Sequence, residues 1–336
     1  MILTYFPERI LVLGATGFVG ERVCRRLRRA GVEVVALTRT PHSPVAEGLH
    51  LAGCEIAEGD CTRRWTLWQA MEGCTAVVSC AHIRYAEVVL QGCNRTGIAR
   101  LLCMSSTRRF SKVRDHSVEE CIRGEFLLSQ SELEYTVVRP TMIYGSTRDR
   151  NIYPIMQWMR RRPWFPVFGP GLASVQPVFV EDVVTALMDV LRRPDTIGKS
   201  YTLAGAEPMT WNGMIGEIAA ALDREVRILH FPVSVGLAGA KLGGRLAARK
   251  GLTRESILRM QEPKEFDIAE AQETLGFAPR LFRVALQQMV VGESETDAIY
   301  GPPGGDRWSD TRVNLKLGLT EAGAGASRSQ SPAEPD

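Results

Sequence analysis

The chain has 336 residues, of which 45% are hydrophobic and 24% are charged, and its formal net charge is +3 at pH 7. This size and balance are typical of a soluble globular protein with a sizeable core, and they exclude a chain too polar to fold. So mild a net charge gives no reason to expect nucleic acid or another polyanion as a partner.

The first residues, MILTYFPERI, predict no secretory leader, because Pro7, Glu8 and Arg9 interrupt the apolar run. The most apolar later stretch, VSVGLAGA from Val233, is too short to cross a bilayer. We therefore expect a cytoplasmic protein, with peripheral membrane association as the alternative.

Between Arg9 and Arg139, short apolar runs alternate with helical patterns. The run RILVLG predicts a first strand, and the helical pattern after it, from Glu21 to Arg29, ends at Gly31. Five later runs lack polar alternation and predict strands buried on both faces: VEVVALT, CEIAEGD, TAVVSCA, ARLLCMSS and YTVVRP. Residues 1–145 are therefore predicted to form an α/β domain, a Rossmann-like doubly wound parallel sheet.

After Arg139 the pattern loosens, but it still contains the amphipathic EDVVTALMDVLRR, the strand-like KSYTLAG and the helical WNGMIGEIAAAL. We expect residues 146–291 to form a smaller, mostly helical C-terminal cap, a substrate region interleaved with the last sheet strands. Residues 292–336 are rich in acidic, Gly, Pro and Ser residues, which predicts a disordered tail.

Three glycines, Gly14, Gly17 and Gly20, lie directly after the first predicted strand and directly before the first helix. The first gives a tight turn its backbone freedom, the second lets the main chain approach a pyrophosphate, and the third allows close packing of helix on sheet. This turn, with Thr16 and Phe18, is predicted to bind a dinucleotide at the helix N-terminus. A turn that simply requires glycine is the alternative.

The end of the second strand distinguishes NAD from NADP. An acidic residue there would bind the ribose 2′-hydroxyl of NAD, but the sequence is ALTRT, with Arg39. A guanidinium suits a 2′-phosphate, so NADP is favoured over NAD, unless Arg39 only caps the following loop. After the third strand, Asp60 is a candidate acceptor for the adenine amino group, or else the start of an Asx turn.

The eight cysteines all lie between Cys24 and Cys121, without a C-x-x-C pair or metal-ligand spacing to a histidine. They are predicted to be reduced, buried thiols, and no metal site is predicted. Arginine is dense at several points, including the run MRRRP from Met159. A solvated face is the first interpretation of these runs, and docking of an acidic partner is the alternative.

Five motifs follow one another in the order and spacing of extended short-chain dehydrogenase/reductases: GATGFVG, the GD of GDCT, SCA, CMSST and VVRPTMIYG. The chain most resembles the atypical branch of that family. This branch includes the nucleotide-binding accessory subunit of respiratory complex I and NAD(P)H-binding, epimerase/dehydratase-like proteins. The later motifs VQPVFVEDVV, YTLAG and LGFAPRLF fit the same branch, so the likeness extends from about Arg9 to Leu286.

The resemblance implies roles for individual residues around a dinucleotide. It assigns the three turn glycines to the pyrophosphate, Arg39 to the ribose or its phosphate, and Asp60 to adenine. Cys80 and Ala81 would border the adenosine ribose, and Pro140 would lie beside the nicotinamide.

For catalysis, the resemblance implies that Thr107 is the hydroxyl that polarises a substrate carbonyl, and that Tyr144 lies beside the nicotinamide. A Tyr144 packed in a strand end is the alternative. In the cap, Asp182 matches an acidic position of the family, although an N-cap is an equally simple interpretation.

One feature of active family members is missing. They use a Tyr, with a Lys four residues later on the same helix face, to move a proton and to hold the ribose. Counting back from Pro140 places these positions at Ser117 and Cys121. No tyrosine occurs between Tyr85 and Tyr135, so a shifted alignment does not restore the pair.

Substitute residues are few. His116 is a candidate proton donor and Lys112 a candidate ribose ligand, and a surface location is the alternative for both. Glu125, in the same predicted helix, is expected to be solvated or to face the cap.

Two functions therefore compete. The first is an NAD(P)(H)-binding protein that lacks the usual Tyr/Lys pair and has a structural, sensing or assembly role. The second is an NADP-dependent oxidoreductase or epimerase/isomerase with an unconventional proton donor. Protein or membrane docking is a third class, which can coexist with the first. The sequence favours the first function, leaves open whether the chain is an enzyme, and identifies neither a small-molecule substrate nor a partner complex.

Overall fold

A computed structural model describes residues 6–249 and 253–290 of the chain. The tail predicted for residues 292–336 lies outside the described residues. Within the described ranges, no helix combines the length and the hydropathy needed to cross a bilayer. Those ranges also contain no group of three or more His, Cys, Asp or Glu side chains placed to hold a metal ion.

The strands are β1 (Arg9–Leu13), β2 (Glu33–Thr38), β3 (Glu55–Glu58), β4 (Ala76–Ser79), β5 (Arg100–Met104), β6 (Glu134–Pro140), β7 (Ile143–Tyr144), β8 (Trp164–Phe168), β9 (Ser174–Val175), β10 (Val178–Phe179), β11 (Ser200–Leu203), β12 (Met209–Thr210) and β13 (Arg227–Phe231). Seven of them form one parallel sheet in the order β11-β6-β5-β4-β1-β2-β3. Three further pairs, β7 with β10, β9 with β12 and β8 with β13, lie outside that sheet.

The α-helices are α1 (Gly20–Arg29), α2 (Pro44–Leu51), α3 (Arg64–Met71), α4 (Ala86–Thr96), α5 (His116–Ser129), α6 (Ile152–Arg161), α7 (Val180–Arg192), α8 (Trp211–Ala221), α9 (Val233–Arg249), α10 (Arg254–Arg259) and α11 (Ala269–Leu275). Residues 282–290 are also helical. The long helix α9 is kinked at Gly244, where φ is +45°.

The predicted Rossmann-like sheet is confirmed. Each of the six apolar runs from RILVLG to YTVVRP forms a strand of the sheet, and KSYTLAG supplies the seventh strand beside β6. The strand order reverses at β1, which has β4 on one side and β2 on the other. In open α/β sheets, a crevice forms outside the strand ends at such a switch point, and ligands bind there.

Helices cover the two faces of the sheet through separate apolar clusters. On one face, α1, α7 and α11 pack through a cluster that includes Val23, Leu187 and Leu275. On the other face, the cluster includes Met71 of α3 and Val89 of α4. Burial on both faces explains why the strand sequences are continuously apolar instead of alternating.

The cap has its own core, which includes Met156 of α6, Ile215 of α8 and Phe282. The chain leaves the sheet after β6 and returns to it for α7 and β11. Cap and sheet are therefore interleaved in sequence, and residues from the C-terminal half reach the strand ends where the candidate site lies.

Candidate functional site

The glycine turn between β1 and α1 is closed by a hydrogen bond of 2.9 Å from the Gly17 N–H to the Gly14 carbonyl oxygen. Gly14 has a φ of +70°, a conformation that favours glycine. A Cβ at Gly20 would lie 2.2 Å from the Gly14 carbonyl oxygen, and one at Gly17 would lie 2.9 Å from the same atom. Side chains at these positions would collide with the main chain of the turn, so glycine is required at each.

The N-terminus of α1 offers backbone N–H groups at this turn. Val19, at the N-cap, has an apolar side chain that makes no capping hydrogen bond to the first N–H groups of the helix, and the preceding residues Thr16, Gly17 and Phe18 are partly exposed. The first N–H groups of a helix have no intrahelical partner, and the helix dipole favours an anion beside them. This arrangement can bind a phosphate group.

Two arginines fix the main chain of the turn. Arg148, from the cap, donates a 2.6 Å hydrogen bond to the Thr16 carbonyl oxygen and pairs with the buried carboxylate of Glu21. Arg22 donates a 2.9 Å hydrogen bond to the Phe18 carbonyl oxygen. We did not identify Arg148 from the sequence, because a contact across 132 residues has no local signature.

Parallel pairing of β2 and β3 brings Arg39 and Asp60 together at the strand ends. Arg39 Nη1 lies 3.9 Å from Asp60 Oδ2, and the Arg39 side chain is 78% exposed. Asp60 Oδ1 accepts hydrogen bonds from the N–H and the hydroxyl of Thr62, at 2.8 and 2.9 Å, so the Asx turn is present. The Thr62 N–H is the main cause of a lowered pKa of Asp60, with a further contribution from Arg39. Asp60 is therefore an acceptor, and the exposed Arg39 guanidinium is placed to meet a phosphate.

The loop after β4 lies against the glycine turn. A Cβ at Gly14 would lie 3.1 Å from the Ala81 nitrogen and 3.1 Å from the Cys80 carbonyl carbon, and the Cys80 N–H donates a 3.0 Å hydrogen bond to the Leu13 carbonyl oxygen. Burial raises the pKa of the Cys80 thiol to about 12, which keeps it protonated. Cys80 and Ala81 thus form an uncharged wall beside the turn.

Thr107 and Pro140 meet at the ends of β5 and β6. Thr107 is buried, and its hydroxyl donates a 3.4 Å hydrogen bond to the Pro140 carbonyl oxygen. Thr107, in the turn after β5, and Pro140, the last residue of β6, therefore lie at the ends of neighbouring strands, on the edge of the sheet that also holds the glycine turn.

Tyr144 is fully buried in the cap core. Its ring lies between those of Phe179 and Phe282, with centroid distances of 5.6 and 5.0 Å. Its hydroxyl donates a 3.4 Å hydrogen bond to the Phe282 carbonyl oxygen, and desolvation raises the pKa of Tyr144 well above its usual range. Tyr144 is therefore packed at a strand end, which is the alternative interpretation of its position in the sequence.

The positions counted for the Tyr/Lys pair hold a small hydroxyl and a buried thiol. Ser117, in the first turn of α5, accepts a 3.0 Å hydrogen bond from Arg108 Nη1. Cys121 is 1% exposed, and desolvation raises its pKa. Neither side chain offers a phenol or an ammonium group.

The two candidate substitutes lie at the surface. The His116 side chain is 88% exposed, with Nε2 3.0 Å from Glu120 Oε1. The Lys112 side chain is exposed too, and its backbone N–H donates a 2.7 Å hydrogen bond to Glu262.

The expectation that Glu125 is solvated or faces the cap is wrong. Glu125 is 6% exposed and accepts hydrogen bonds from the Ser105 hydroxyl at 2.6 Å and from Arg139 Nη2 at 2.7 Å. It also pairs with Arg109. Desolvation lowers the pKa of both arginines. The buried carboxylate of Glu125 thus joins α5 to the ends of β5 and β6 by balancing the charges of two guanidinium groups. The apolar pattern of the helix gives no indication of either partner.

Asp182 does not cap α7. Its Oδ2 accepts a 2.8 Å hydrogen bond from the Arg280 N–H, and Oδ1 lies 3.4 Å from Arg280 Nη1. The N-cap residue is Phe179, whose apolar side chain makes no capping hydrogen bond. Asp182 therefore holds the segment before residues 282–290 against α7.

From the sequence we considered only His116 as a histidine near the site, and so missed His82. It follows Ala81 directly, at the carboxyl end of β4. Its Nδ1 accepts a 3.2 Å hydrogen bond from the Arg84 N–H, and its Nε2 lies 3.8 Å from Glu120 Oε2. Burial lowers the pKa of His82, so the ring is neutral at pH 7. Because His82 directly follows a predicted strand, it could have been identified from the sequence as a candidate site residue.

Residues 14–156 match a protein-family model described as NAD(P)H-binding. The match includes the glycine turn, the Arg39–Asp60 pair and the ends of β4, β5 and β6. The chain therefore contains an NAD(P)-binding domain, which confirms the predicted class of ligand. The match does not distinguish NAD from NADP.

Curated relatives extend beyond that domain. The chain is 24% identical over 242 residues to NADH dehydrogenase (ubiquinone) 1 alpha subcomplex subunit 9 of Dictyostelium discoideum, and the aligned region covers 66% of each protein. It is 22% identical over 321 residues to 2-alkyl-3-oxoalkanoate reductase of Shewanella oneidensis, which covers 80% of this chain and 81% of the reductase. The predicted resemblance to the complex I subunit is confirmed by this similarity.

A solved structure shares the fold. An epimerase from Methanothermobacter thermautotrophicus superposes with a TM-score of 0.70 at 18% identity, over 89% of this chain and 96% of the epimerase. At that identity the likeness establishes the common architecture, a Rossmann-like sheet with a C-terminal cap.

Proposed function

Residues 14–156 form an NAD(P)-binding domain whose relatives include a reductase and a complex I subunit, and from this premise we propose that the protein holds NADP(H) as a structural, sensing or assembly ligand. In this proposal it does not use the Tyr/Lys chemistry of active family members. The observation on which the proposal rests is the contrast between the two ends of the site. The phosphate-binding end is complete, whereas the counted Tyr and Lys positions hold Ser117 and Cys121.

The phosphate-binding end supports tight binding. The turn is held rigidly by the Gly17 to Gly14 hydrogen bond and by the bond from Arg148 to Thr16. A site that is rigid before it binds loses little conformational freedom on binding. Binding to the folded chain alone would also stabilise the fold by mass action, without turnover.

The other end of the site supports the absence of Tyr/Lys chemistry. Cys121 lies in the apolar cluster beneath α5, so a lysine there would have to displace packed neighbours. Ser117 already accepts a hydrogen bond from Arg108. A serine hydroxyl has no pKa near neutral pH, so it does not replace the tyrosine in proton transfer.

Arg39 is the basis for proposing NADP over NAD. Its side chain is largely exposed at the end of β2, and the nearby carboxylate of Asp60 already accepts two hydrogen bonds from Thr62. A guanidinium binds a phosphate through charge-assisted, bidentate hydrogen bonds. The ribose 2′-phosphate of NADP would supply that partner, and we expect the protein in the cytoplasm, where this nucleotide is available.

A second candidate function is an NADP-dependent oxidoreductase or epimerase with an unconventional proton donor. Two observations favour it: Thr107 stands at the strand ends beside Pro140, and the neutral imidazole of His82 stands close to α5. The similarity to a reductase agrees with this candidate. Oxidation of bound NADPH during incubation with a panel of ketones would identify it.

The proposal is tested by titrating the protein, freed of any bound nucleotide, with NADPH and with NADH by fluorescence. We expect NADPH to bind more tightly than NADH, because only NADPH offers a phosphate to Arg39. Arg39→Ala should weaken NADPH binding by roughly tenfold to a hundredfold and leave NADH binding unchanged, since charge-assisted hydrogen bonds contribute about 1.5–3 kcal/mol.

The matched control is Arg29→Ala, which removes an exposed arginine at the far end of α1. Both nucleotides should bind this variant as they bind the wild type. If neither nucleotide binds the wild type, the proposal is wrong. If Arg39→Ala weakens both nucleotides equally, the assignment of NADP is wrong.

A further inference from the structure

A group of charged and polar side chains lies beside the dinucleotide site and is not used by it. His82 follows the wall residue Ala81, and Glu120 of α5 lies opposite, with Arg84 Nη1 3.6 Å from Glu120 Oε1. Arg108 reaches the same helix through its 3.0 Å bond to Ser117. The group therefore occupies the space between the loop after β4 and the first turns of α5, where the Tyr/Lys pair of active relatives is missing.

The tautomer of His82 follows from its hydrogen bonds. The Arg84 N–H donates to Nδ1 at 3.2 Å, so Nδ1 presents a lone pair and the neutral ring bears its proton on Nε2. A second proton on Nδ1 would oppose the Arg84 N–H. The lowered pKa of His82, caused mainly by burial, agrees with a neutral ring.

The Nε2–H of His82 is a fixed donor that no described residue uses as a hydrogen bond. The distance from Nε2 to Glu120 Oε2 is 3.8 Å, which exceeds hydrogen-bond range. The His82 side chain is 36% exposed, whereas that of Glu120 is 14% exposed. The donor is thus held in one orientation and is open to a ligand.

The charges around His82 favour an anion. The groups that face it are Glu120 and His116 of α5, Arg84 of the following turn, and Arg108 of the loop after β5. Among these groups, two guanidinium groups stand against one carboxylate, which leaves an excess of one positive charge even without a contribution from the imidazole rings. Arg108 is exposed, so its remaining N–H groups can meet a ligand.

We propose that His82 and Arg108 form a subsite for a small oxo-carboxylate beside the dinucleotide, in which the Nε2–H of His82 donates to the keto oxygen and Arg108 binds the carboxylate. A neutral imidazole held by its other nitrogen is an effective hydrogen-bond donor to a carbonyl oxygen. Arg108 supplies the charge that selects an acid over a neutral ketone. This inference rests on the proposed dinucleotide binding and names the second ligand that a sensor of this kind would detect.

The test uses the full chain loaded with NADP⁺, so that no hydride is available for reduction, and measures binding of 3-oxobutanoate by ligand-observed NMR. Butanoate, which lacks the keto oxygen, is the matched probe. His82→Asn is the key variant, because the asparagine oxygen can keep the hydrogen bond from the Arg84 N–H while the distal donor is lost. His116→Asn is its control, since His116 also pairs with Glu120 but is 88% exposed.

We expect 3-oxobutanoate to bind the wild type more tightly than butanoate does. His82→Asn should weaken 3-oxobutanoate about tenfold, the effect of one hydrogen bond, and should remove its advantage over butanoate. Arg108→Ala should weaken both acids, whereas Arg114→Ala, which changes another exposed arginine, and His116→Asn should weaken neither.

Two results would overturn the subsite: no binding of 3-oxobutanoate to the NADP⁺-loaded wild type, or equal binding to the wild type and His82→Asn. Loading with NADP⁺ is measured first in each variant. Failure to load would contradict the proposed function, so the two failures are distinguishable.

Discussion

At Gly20, the absence of a Cβ atom is what allows the dinucleotide-binding turn to form. Its Cβ position lies 2.2 Å from the Gly14 carbonyl oxygen and 3.1 Å from the Ala15 Cα, both main-chain atoms that cannot rotate away. We expect Gly20→Ala to destabilise the fold by about 1–3 kcal/mol, as overpacking does, and to abolish NADPH binding. Chemical denaturation and NADPH titration measure the two effects.

The control for this prediction is Gly216→Ala in α8, because a Cβ there would meet nothing within 4 Å. Gly216 is exposed and lies inside the helix, so alanine should stabilise the fold by roughly 0.5–1 kcal/mol and leave binding unchanged. A Gly20→Ala protein with wild-type stability and affinity would refute the close approach.

Asp149 is a buried carboxylate whose charge destabilises the fold at neutral pH. It is 4% exposed, and its oxygens accept hydrogen bonds from the N–H groups of Asn151 at 2.6 Å and Ile152 at 2.8 Å. Desolvation nevertheless outweighs these bonds and raises the pKa of Asp149 from 3.8 to about 6.

Between about pH 4 and pH 6, Asp149 is therefore protonated in the folded chain and ionised in the unfolded chain. The contribution of Asp149 to stability is complete below that window and is lost as the pH rises through 6. Asp149→Asn removes this titration. As the pH rises from 4 to 7, the free energy of unfolding of the variant should therefore increase relative to that of the wild type by on the order of 3 kcal/mol. Denaturation curves of both proteins across this range test the prediction, and parallel curves would contradict it.

At the scale of single residues, the sequence predicts local patterns better than distant contacts. The glycines of the turn and the separate positions of Arg39 and Asp60 follow from the predicted strand ends, whereas the proximity of Arg39 to Asp60 comes from the structure. The burial of Glu125 and the orientation of His82 do not, because each depends on partners from other elements. Which face of α5 meets the sheet is set by packing of the whole layer, and a short amphipathic pattern leaves that face undetermined.

At the scale of elements, helix α5 is anchored to two strand ends by Glu125. We expect Glu125→Gln to destabilise the fold by on the order of 2–4 kcal/mol, because Arg109 and Arg139 would remain half-buried without a counter-charge. Glu119→Gln, on the exposed side of the same helix, should change the free energy of unfolding by no more than about 0.5 kcal/mol. Equal effects of the two changes, measured by urea denaturation, would contradict the anchoring role.

The elements of the main sheet are readable from sequence because each strand is a continuous apolar run. Two of the three strand pairs of the cap are not, since β7, β9, β10 and β12 each span two residues. Pairs this short are fixed by the packing around them and leave no periodic signal.

The loop after β5 is also held by a residue distant in sequence. Glu262 accepts hydrogen bonds from Ser111 and from the backbone of residues 112 and 113.

At the scale of the whole molecule, the interleaving of sheet and cap makes the site a product of both halves of the chain. Arg148 reaches the glycine turn from the cap, and Glu181 of α7 pairs with Arg22 of α1. Binding of a dinucleotide at the turn would therefore stabilise contacts across the entire fold. This coupling is what a structural or sensing role for the nucleotide requires.

The most direct test of that role is the unfolding temperature of the wild type measured against rising concentrations of NADPH and of NADH. A ligand that binds only the folded chain adds about 1.4 kcal/mol for each tenfold increase in concentration above its Kd. We expect the unfolding temperature to rise by a few degrees with each such step, and at lower concentrations of NADPH than of NADH. An unfolding temperature that neither nucleotide raises would contradict the account.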